Sequence, residues 1–295
     1  MVVTGYFPIQ DMVMNAQIQI GEVSISIEGD AETADWEIPL AYQPFLQPGE
    51  SDVILRLHRS IPENLTGEMV FDCPPIWTLY RQHGTSIIRI VDDLSGIERT
   101  LVFPPQVEKA DLYFDERAGR FADPFYGPTM ELLMVNYLAQ GRGAILHACG
   151  IALNEKGILF VGEPDAGKST MANMWAQEAD VHVLSDDRII VRKKGDRFWI
   201  YGTPWHGEAS FVSPEGVTVE RVCFLRHGKK NSIKEIKGID SVSRLITCSF
   251  LPHWDPQGMA FSMGFFTDLA AHVPCYDFTF KPDRCVIELV KEMNT

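Results

Sequence analysis

Apolar and polar residues alternate in several short runs over the first third of the chain. Ala16-Gln17-Ile18-Gln19-Ile20 and Val23-Ser24-Ile25-Ser26-Ile27 put every second side chain on one face, and Val53 to Leu57, Ser86 to Ile90 and Arg99 to Phe103 follow the same texture. A period of two predicts strands with one buried face, and the Gly, Pro, Asp and Asn between the runs predict turns. No long helical pattern precedes Pro128, so a mainly antiparallel β domain is expected over residues 1–123. Trp77 and Tyr80 read most simply as part of its core, the alternative being a ligand platform.

Beyond the turn-rich segment Phe121 to Gly127 the period lengthens. Thr129 to Leu138 predicts a helix apolar on most faces, ended by Gly141 and Gly143. Strands are then expected over Ala144–Leu153 and Gly157–Val161, a helix over Ser169–Ala176, and strands over Val181–Ser185 and Arg188–Val191. Farther on, Val222–Leu225 and Tyr276–Phe280 read as strands, and Ile239–Thr247, Met259–Ala271 and Arg284–Met293 as helices. The breaker-rich Pro252–Pro256 separates the first two of those helices. The fold class is α+β, with residues 124–295 as a second domain that mixes strands with flanking helices.

Composition changes this picture only by exclusion. With 295 residues, 45% of them hydrophobic and 22% charged, the chain can bury two modest cores. A formal net charge of −14 repels nucleic-acid backbones, so no nucleic-acid partner is expected. The basic stretch Arg226-His227-Gly228-Lys229-Lys230 is a solvated loop or an electropositive rim for phosphate. The six cysteines form no C-x-x-C pair and have no His at ligand spacing, which argues against a zinc site and a disulfide framework. Met1 to Asp11 lacks the charged-then-apolar order of a secretory leader, and no run approaches about 18 apolar residues. A cytoplasmic protein without a membrane partner is the expectation.

Candidate chemistry sits at Gly162-Glu163-Pro164-Asp165-Ala166-Gly167-Lys168-Ser169-Thr170, which satisfies the phosphate-binding pattern G-x-x-x-x-G-K-[ST] between an expected strand and an expected helix. Backbone amides can turn inward around a polyphosphate only through dihedral angles that Gly162 and Gly167 are expected to supply. The helix N-terminus adds positive potential, Lys168 would reach the terminal phosphates, and the Ser169 hydroxyl would ligate Mg²⁺. One helix and one strand later come Asp186-Asp187. Carboxylates at the end of a strand beside such a loop can hold the metal and accept a proton.

These residues resemble the HPr kinase group, bacterial serine kinases whose core is related to phosphoenolpyruvate carboxykinase. That family places a His in the strand before its phosphate loop, and here His147 precedes Gly162 by 15 residues (162 − 147). It also places an Asp pair after the loop's helix; Asp186 follows Lys168 by 18 (186 − 168), about one residue more than the family spacing. The resemblance implies Asp186 as general base, Asp187 as a metal ligand assisting Ser169, His147 as the side chain that orients the base, and Glu208 as a second acidic metal ligand. A core histidine bonded to backbone is the alternative for His147. His206 would contact phosphate or metal, or else order its loop. The R-G-L-G signature of the HPr kinases is absent, so neither HPr recognition nor phosphorolysis is implied. Tyr201-Gly202-Thr203-Pro204-Trp205-His206-Gly207-Glu208 looks instead like a divergent branch with an N-terminal β domain, which includes kinases of lasso-peptide precursors.

The expected function is therefore an ATP-dependent, Mg²⁺-requiring kinase that phosphorylates a Ser or Thr hydroxyl of a peptide or small protein. A homo-oligomer is among the implications, since the related family assembles into rings. A small-molecule, carboxykinase-like phosphotransferase and an ATP-binding sensor without transfer are the alternatives.

Overall fold

The computed structural model describes residues 13–29, 36–92, 96–115 and 123–293. Met1 to Asp11 and Phe121 lie outside the described residues. Two compact units share the chain: one extends to residue 133 except for Gln19–Glu22 and Leu40–Phe45, which group with residues 134 onward in the other.

An eight-stranded sheet organises the first unit. Its strands are β1 (Val13–Ile20), β2 (Val23–Gly29), β3 (Val53–His58), β4 (Glu68–Cys73), β5 (Trp77–Gln82), β6 (Thr85–Val91), β7 (Glu98–Phe103) and β8 (Lys109–Phe114), in the order β1-β2-β3-β8-β7-β6-β5-β4. From β4 to β8 it is an antiparallel meander, but β2–β3 and β3–β8 run parallel, so the sheet is mixed rather than simply antiparallel. The β3–β8 pair is parallel because the meander's last strand returns beside β3 in the same direction.

Register explains the core of this unit. Leu79, Ile88, Leu101, Leu112 and Leu57 stand opposite one another across five strands, and all are buried. Trp77 and Tyr80 do not belong to that row; both are half-buried, with Trp77 stacked on Phe71 at 5.3 Å and Tyr80 beneath the Arg89 guanidinium at 5.1 Å. Trp77 is two positions from Leu79 along β5, but lies beyond the row near the strand's start.

Helix α1 (Thr129–Leu138) carries the chain from the first unit into the second, which is built on a nine-stranded sheet. Its strands are β9 (Ala144–Leu153), β10 (Lys156–Val161), β11 (Val181–Ser185), β12 (Arg188–Lys194), β13 (Arg197–Tyr201), β14 (Gly216–His227), β15 (Ser232–Ile236), β16 (Ser249–Phe250) and β17 (Cys275–Phe280). Pairings β10–β9, β9–β12, β12–β13, β13–β14 and β14–β10 close a ring, and β14 carries on through β17 to the edge strand β15. Parallel pairing of β10 with β14 and of β14 with β17 brings three carboxyl ends together. Ligands of open α/β sheets bind beyond such ends.

Helices cover both faces of this sheet. On one side α2 (Lys168–Trp175) and α5 (Cys285–Glu292) bury Met171, Ala172, Trp175, Val286, Ile287 and Val290 against Phe160, Phe278 and Phe280. On the other, α3 (Ile239–Thr247) and α4 (Pro256–His272) bury Leu245, Phe265, Phe266 and Leu269 against Leu146, Leu159 and Phe224. The breaker-rich Pro252–Pro256 contains a helix start: Asp255 caps α4 by accepting from Gln257 N, and Pro256 takes the first helical position, where its missing N–H costs nothing. Among the described residues no helix is long and apolar enough to cross a membrane.

Candidate functional site

The middle of β9 is where the site is assembled. His147 is the last residue of β9 paired with β12, and Ala148 the first paired with β10, so three main-chain groups at this crossing remain for loops to use. His147 N donates to Cys248 O at 2.7 Å, Ala148 N donates to Asp187 O at 2.9 Å, and His147 O accepts from Gly162 N at 3.4 Å. One dipeptide thereby ties together the end of α3, the Asp pair and the first residue of the phosphate loop.

The loop itself joins β10 to α2, as its spacing predicts. Left-handed backbone falls on Asp165 (φ 63°) and Gly167 (φ 98°), not on Gly162. Gly162 is needed for closeness instead: a Cβ there would lie 2.6 Å from the Ala166 Cβ. At Gly167 both reasons hold, because a Cβ would come within 2.5 Å of the Phe280 ring and 2.8 Å of the His227 ring. Gly167 is the N-cap of α2 and supplies no side-chain acceptor, so the first-turn amides of Lys168, Ser169 and Thr170 keep their N–H groups for an anion. Glu163, Pro164 and Asp165 are exposed, and His227 Nε2 lies 3.1 Å from Asp165 O, bracing the loop's outer arm.

Lys168 is 6% exposed and donates to the carbonyls of Gly162 at 3.0 Å and Glu163 at 2.9 Å. Burial lowers its pKa, and the neighbouring Asp187 carboxylate opposes that shift. The ammonium is thus held inside the loop by two carbonyl dipoles.

Asp186 and Asp187 occupy different environments. Asp186 is 1% exposed and accepts from Ser169 Oγ at 3.1 Å, Gly207 N at 3.0 Å, Ala209 N at 3.0 Å and Phe211 N at 3.3 Å. Asp187 is partly open and takes His147 Nε2–H on Oδ1 at 2.8 Å and the Arg188 guanidinium on Oδ2. Burial works to raise the Asp187 pKa, but the hydrogen bond from His147 and the charges of Arg188 and Lys168 outweigh it and leave the carboxyl below its usual range.

This differs from the expected division of labour. Ser169 meets Asp186, not Asp187, and His147 is bonded to Asp187 rather than being a core histidine held by backbone. Successive residues near a strand end point their side chains in different directions, so only one of the pair can face the loop's helix. Glu208 is exposed, and among the described residues no three His, Cys, Asp or Glu side chains converge on a point where a metal could be held. His206 is exposed as well, with Nδ1 2.9 Å from Gly207 O on its own loop.

Several contributors carry little signal in the sequence. The amides of Gly207, Ala209 and Phe211 act through backbone, which no side-chain pattern announces. Phe250 lies with its ring 6.2 Å from that of His147 and 5.1 Å from the Arg188 guanidinium, yet belongs to a two-residue strand. Arg188 was legible only as the neighbour of the Asp pair. On the outer side of the loop a cavity of about 430 Å³ is lined by Glu163, Asp165, Phe224, Arg226, Arg244 and Cys248, among others. Arg226 and Arg244 both pair there with Asp277, the latter at 2.9 Å, so the basic stretch contributes its Arg226 to a cavity wall.

No protein family and no curated protein matches this sequence. The functional reading therefore rests on the geometry of the site.

Proposed function

We propose that this chain is an ATP-dependent kinase of the P-loop type, with a core like that of the HPr kinases, which phosphorylates a Ser or Thr hydroxyl of a peptide or small protein. The observation that carries this reading is the pairing of Ser169, which follows the loop lysine, with Asp186, while the next residue Asp187 is bonded to His147. A metal-side carboxylate and a base-side carboxylate are thereby separated next to an anion nest.

Ser169 and Asp186 present adjacent hard oxygens and fit Mg²⁺, which commonly takes one or two protein ligands and completes its shell with phosphate and water. When bound, the ion supplies neutralisation of phosphate charge. A preformed acidic triad is not required for that. The cavity of about 430 Å³ beside Glu163 and Asp165 gives the nucleoside room.

On this reading the residues of the Asp pair exchange the roles that the family resemblance implies. Asp186 is enclosed by three amides and bonded to the Ser169 hydroxyl, so it stands on the loop side and not where an acceptor O–H arrives. The dyad of His147 and Asp187 receives the proton. The acceptor O–H gives its proton to the dyad as its oxygen bonds the γ-phosphorus; the bond from that phosphorus to the bridging oxygen breaks, and its electron pair leaves with ADP. Lys168 orients the phosphates and offsets charge on the leaving group.

Incubation with γ-labelled ATP, Mg²⁺ and Ser- and Thr-containing peptides separates the alternatives. Transfer to peptide is expected. D187N should cut turnover on the order of 10² to 10⁴ with ATP affinity kept, D186N should raise the Mg²⁺ requirement, and K168A should weaken ATP binding roughly tenfold or more. Tight ATP binding with neither transfer nor hydrolysis would assign the chain to nucleotide sensing, and transfer only to small organic acids would assign it to carboxykinase-like chemistry.

A further inference from the structure

Strand β15 ends the sheet of the second unit on one side, paired with β17 alone among the described residues. At such an edge every second residue turns its N–H and C=O away from its neighbour, which leaves a ladder open to a further strand. Cross-strand partners share a face. Lys234 pairs with Asp277 and Ile236 with Cys275, so both lie on the side of the sheet covered by α3 and α4. Beside Ile236 a cavity of about 670 Å³ opens between the end of the strand and α4, walled by Ile236, Val242, Thr267 and Ala270 and rimmed by Ile239 and Met263. Ile239 is 78% exposed, an apolar side chain left to solvent. The other end of β15 is basic. Lys229, Lys230 and Lys234 are exposed and have no ion-pair partner among the described residues. The acidic side chains of β15, β17 and the segment after β17 are taken: Glu235 by Lys237 at 2.9 Å, Asp277 by Arg226 and Arg244, and Asp283 by Lys281 at 3.2 Å.

We infer that β15 and this cavity form a docking groove for an extended acidic peptide, which adds to the sheet as a strand beyond β15. Such a strand puts an apolar side chain opposite Ile236, into the cavity, and an acidic one opposite Lys234, two residues or about 7 Å along. Further acidic residues then reach toward Lys230 and Lys229. Charge selects the occupant: in a chain of formal net charge −14, three uncommitted lysines between Lys229 and Lys234 attract an anionic partner. A second copy of this chain fits poorly, because antiparallel pairing centred on Lys234, the middle residue of β15, sets lysine against lysine. The basic end of the groove lies toward the phosphate loop, since His227, two residues before Lys229, reaches Asp165 O at 3.1 Å. Peptide binding at the groove stands apart from the kinase reading; its use to present an acceptor hydroxyl rests on that reading.

The probe is a short fluorescein-labelled peptide with Leu at its centre, Asp at every second position on either side and Thr between, so that it fits β15 in either direction. Anisotropy with the full-length chain, without nucleotide, should show saturable binding. The double replacement K230E and K234E should weaken it by about tenfold or more, and so should Asp in place of the central Leu of the peptide. N-methylating alternate residues of the peptide gives two further probes. In an added strand only one set of N–H groups faces β15, so one probe should bind as before and the other about tenfold more weakly. The amides of residues 232–236 should gain protection from hydrogen exchange when the peptide binds. No binding by wild type overturns the groove and leaves the kinase reading standing. Binding that drops with the lysine replacements but treats both N-methylated probes alike means charge attraction without strand addition, and overturns it too. Sedimentation showing a dimer that excludes the peptide would assign the edge to a second copy and also refute the inference. Should the lysine variant fail to melt cooperatively, the changes in the peptide decide alone. A peptide that binds as expected but is not phosphorylated with ATP and Mg²⁺ supports the groove and counts against the kinase reading.

Discussion

Replacing Asp186 by Asn removes one charge and one acceptor from a carboxylate that is almost fully enclosed, at 1% exposure. Four donors converge on it: Gly207 N and Phe211 N on Oδ1, Ala209 N and Ser169 Oγ on Oδ2. An Asn amide does least harm with its carbonyl toward Gly207 and Phe211. Its NH₂ then faces Ala209 N–H, which is left unpaired at a cost of roughly 1 to 3 kcal/mol, while Ser169 can rotate to accept. The two amide bonds that survive lose their charge assistance, roughly 1 kcal/mol each. The sum is about 3 to 5 kcal/mol, from which relief of repulsion between neighbouring carboxylates subtracts some, leaving about 3 kcal/mol. For a cooperative unit of 150 to 250 residues that is a fall in melting temperature of roughly 6 to 12 °C. Locally, the amides of Gly207, Ala209 and Phe211 should lose about two decades of hydrogen-exchange protection, read by mass spectrometry of the peptide around residues 205–213. A variant more stable than wild type, with those amides still protected, would mean that Asp186 is a strained buried charge and not the anchor of its loop.

Three other outcomes follow from the same coordinates. Gly167→Ala should abolish nucleotide binding and lower stability, since its Cβ would come within 2.5 Å of the Phe280 ring at a φ of 98°; unchanged binding in a nucleotide titration would refute the loop geometry. Thiol titration of native protein should find Cys285 fastest and Cys73 next, with Cys149, Cys223, Cys248 and Cys275 silent until denaturant is added; burial pushes the Cys275 thiol up to about 11 and Cys223 to about 12, so few thiolates exist near neutral pH. Glu220 is the group chosen for acid sensitivity: burial works against its ionised form, but Lys156 at 2.8 Å and Arg221 at 2.8 Å hold its pKa below the ordinary value. A carboxyl depressed on folding stabilises above its unfolded pKa, and that contribution disappears as pH falls through the folded value, so Glu220→Gln should flatten the acid limb of a stability profile below about pH 4.3 while lowering stability at pH 7.

Local order along the chain was sufficient for a good part of this protein. Period-two runs such as Val23 to Ile27 and Arg99 to Phe103 marked strands, and Ile239–Thr247 marked a helix to the residue, because side-chain direction within one element is set by backbone geometry alone. The place of the G-x-x-x-x-G-K-[ST] segment between β10 and α2 was legible for the same reason: the pattern falls within nine consecutive residues. The edge strands Glu68–Cys73 and Ser232–Ile236 were missed, since their exposed residues take their form from the neighbour they pair with, and the interior strands Lys109–Phe114 and Arg197–Tyr201 were missed as well. What only the tertiary structure decided is which partner each functional group meets. Pairing register at His147 and Ala148 brings Gly162, Asp187 and Cys248 onto one dipeptide, and the loop of Gly207 to Phe211 folds its amides onto Asp186. Adjacent in sequence, Asp186 and Asp187 diverge in space, one toward Ser169 and the other toward His147 and Arg188. Contacts of that kind join residues far apart in the chain, and their formation depends on burial and strand register, quantities that no local spacing encodes.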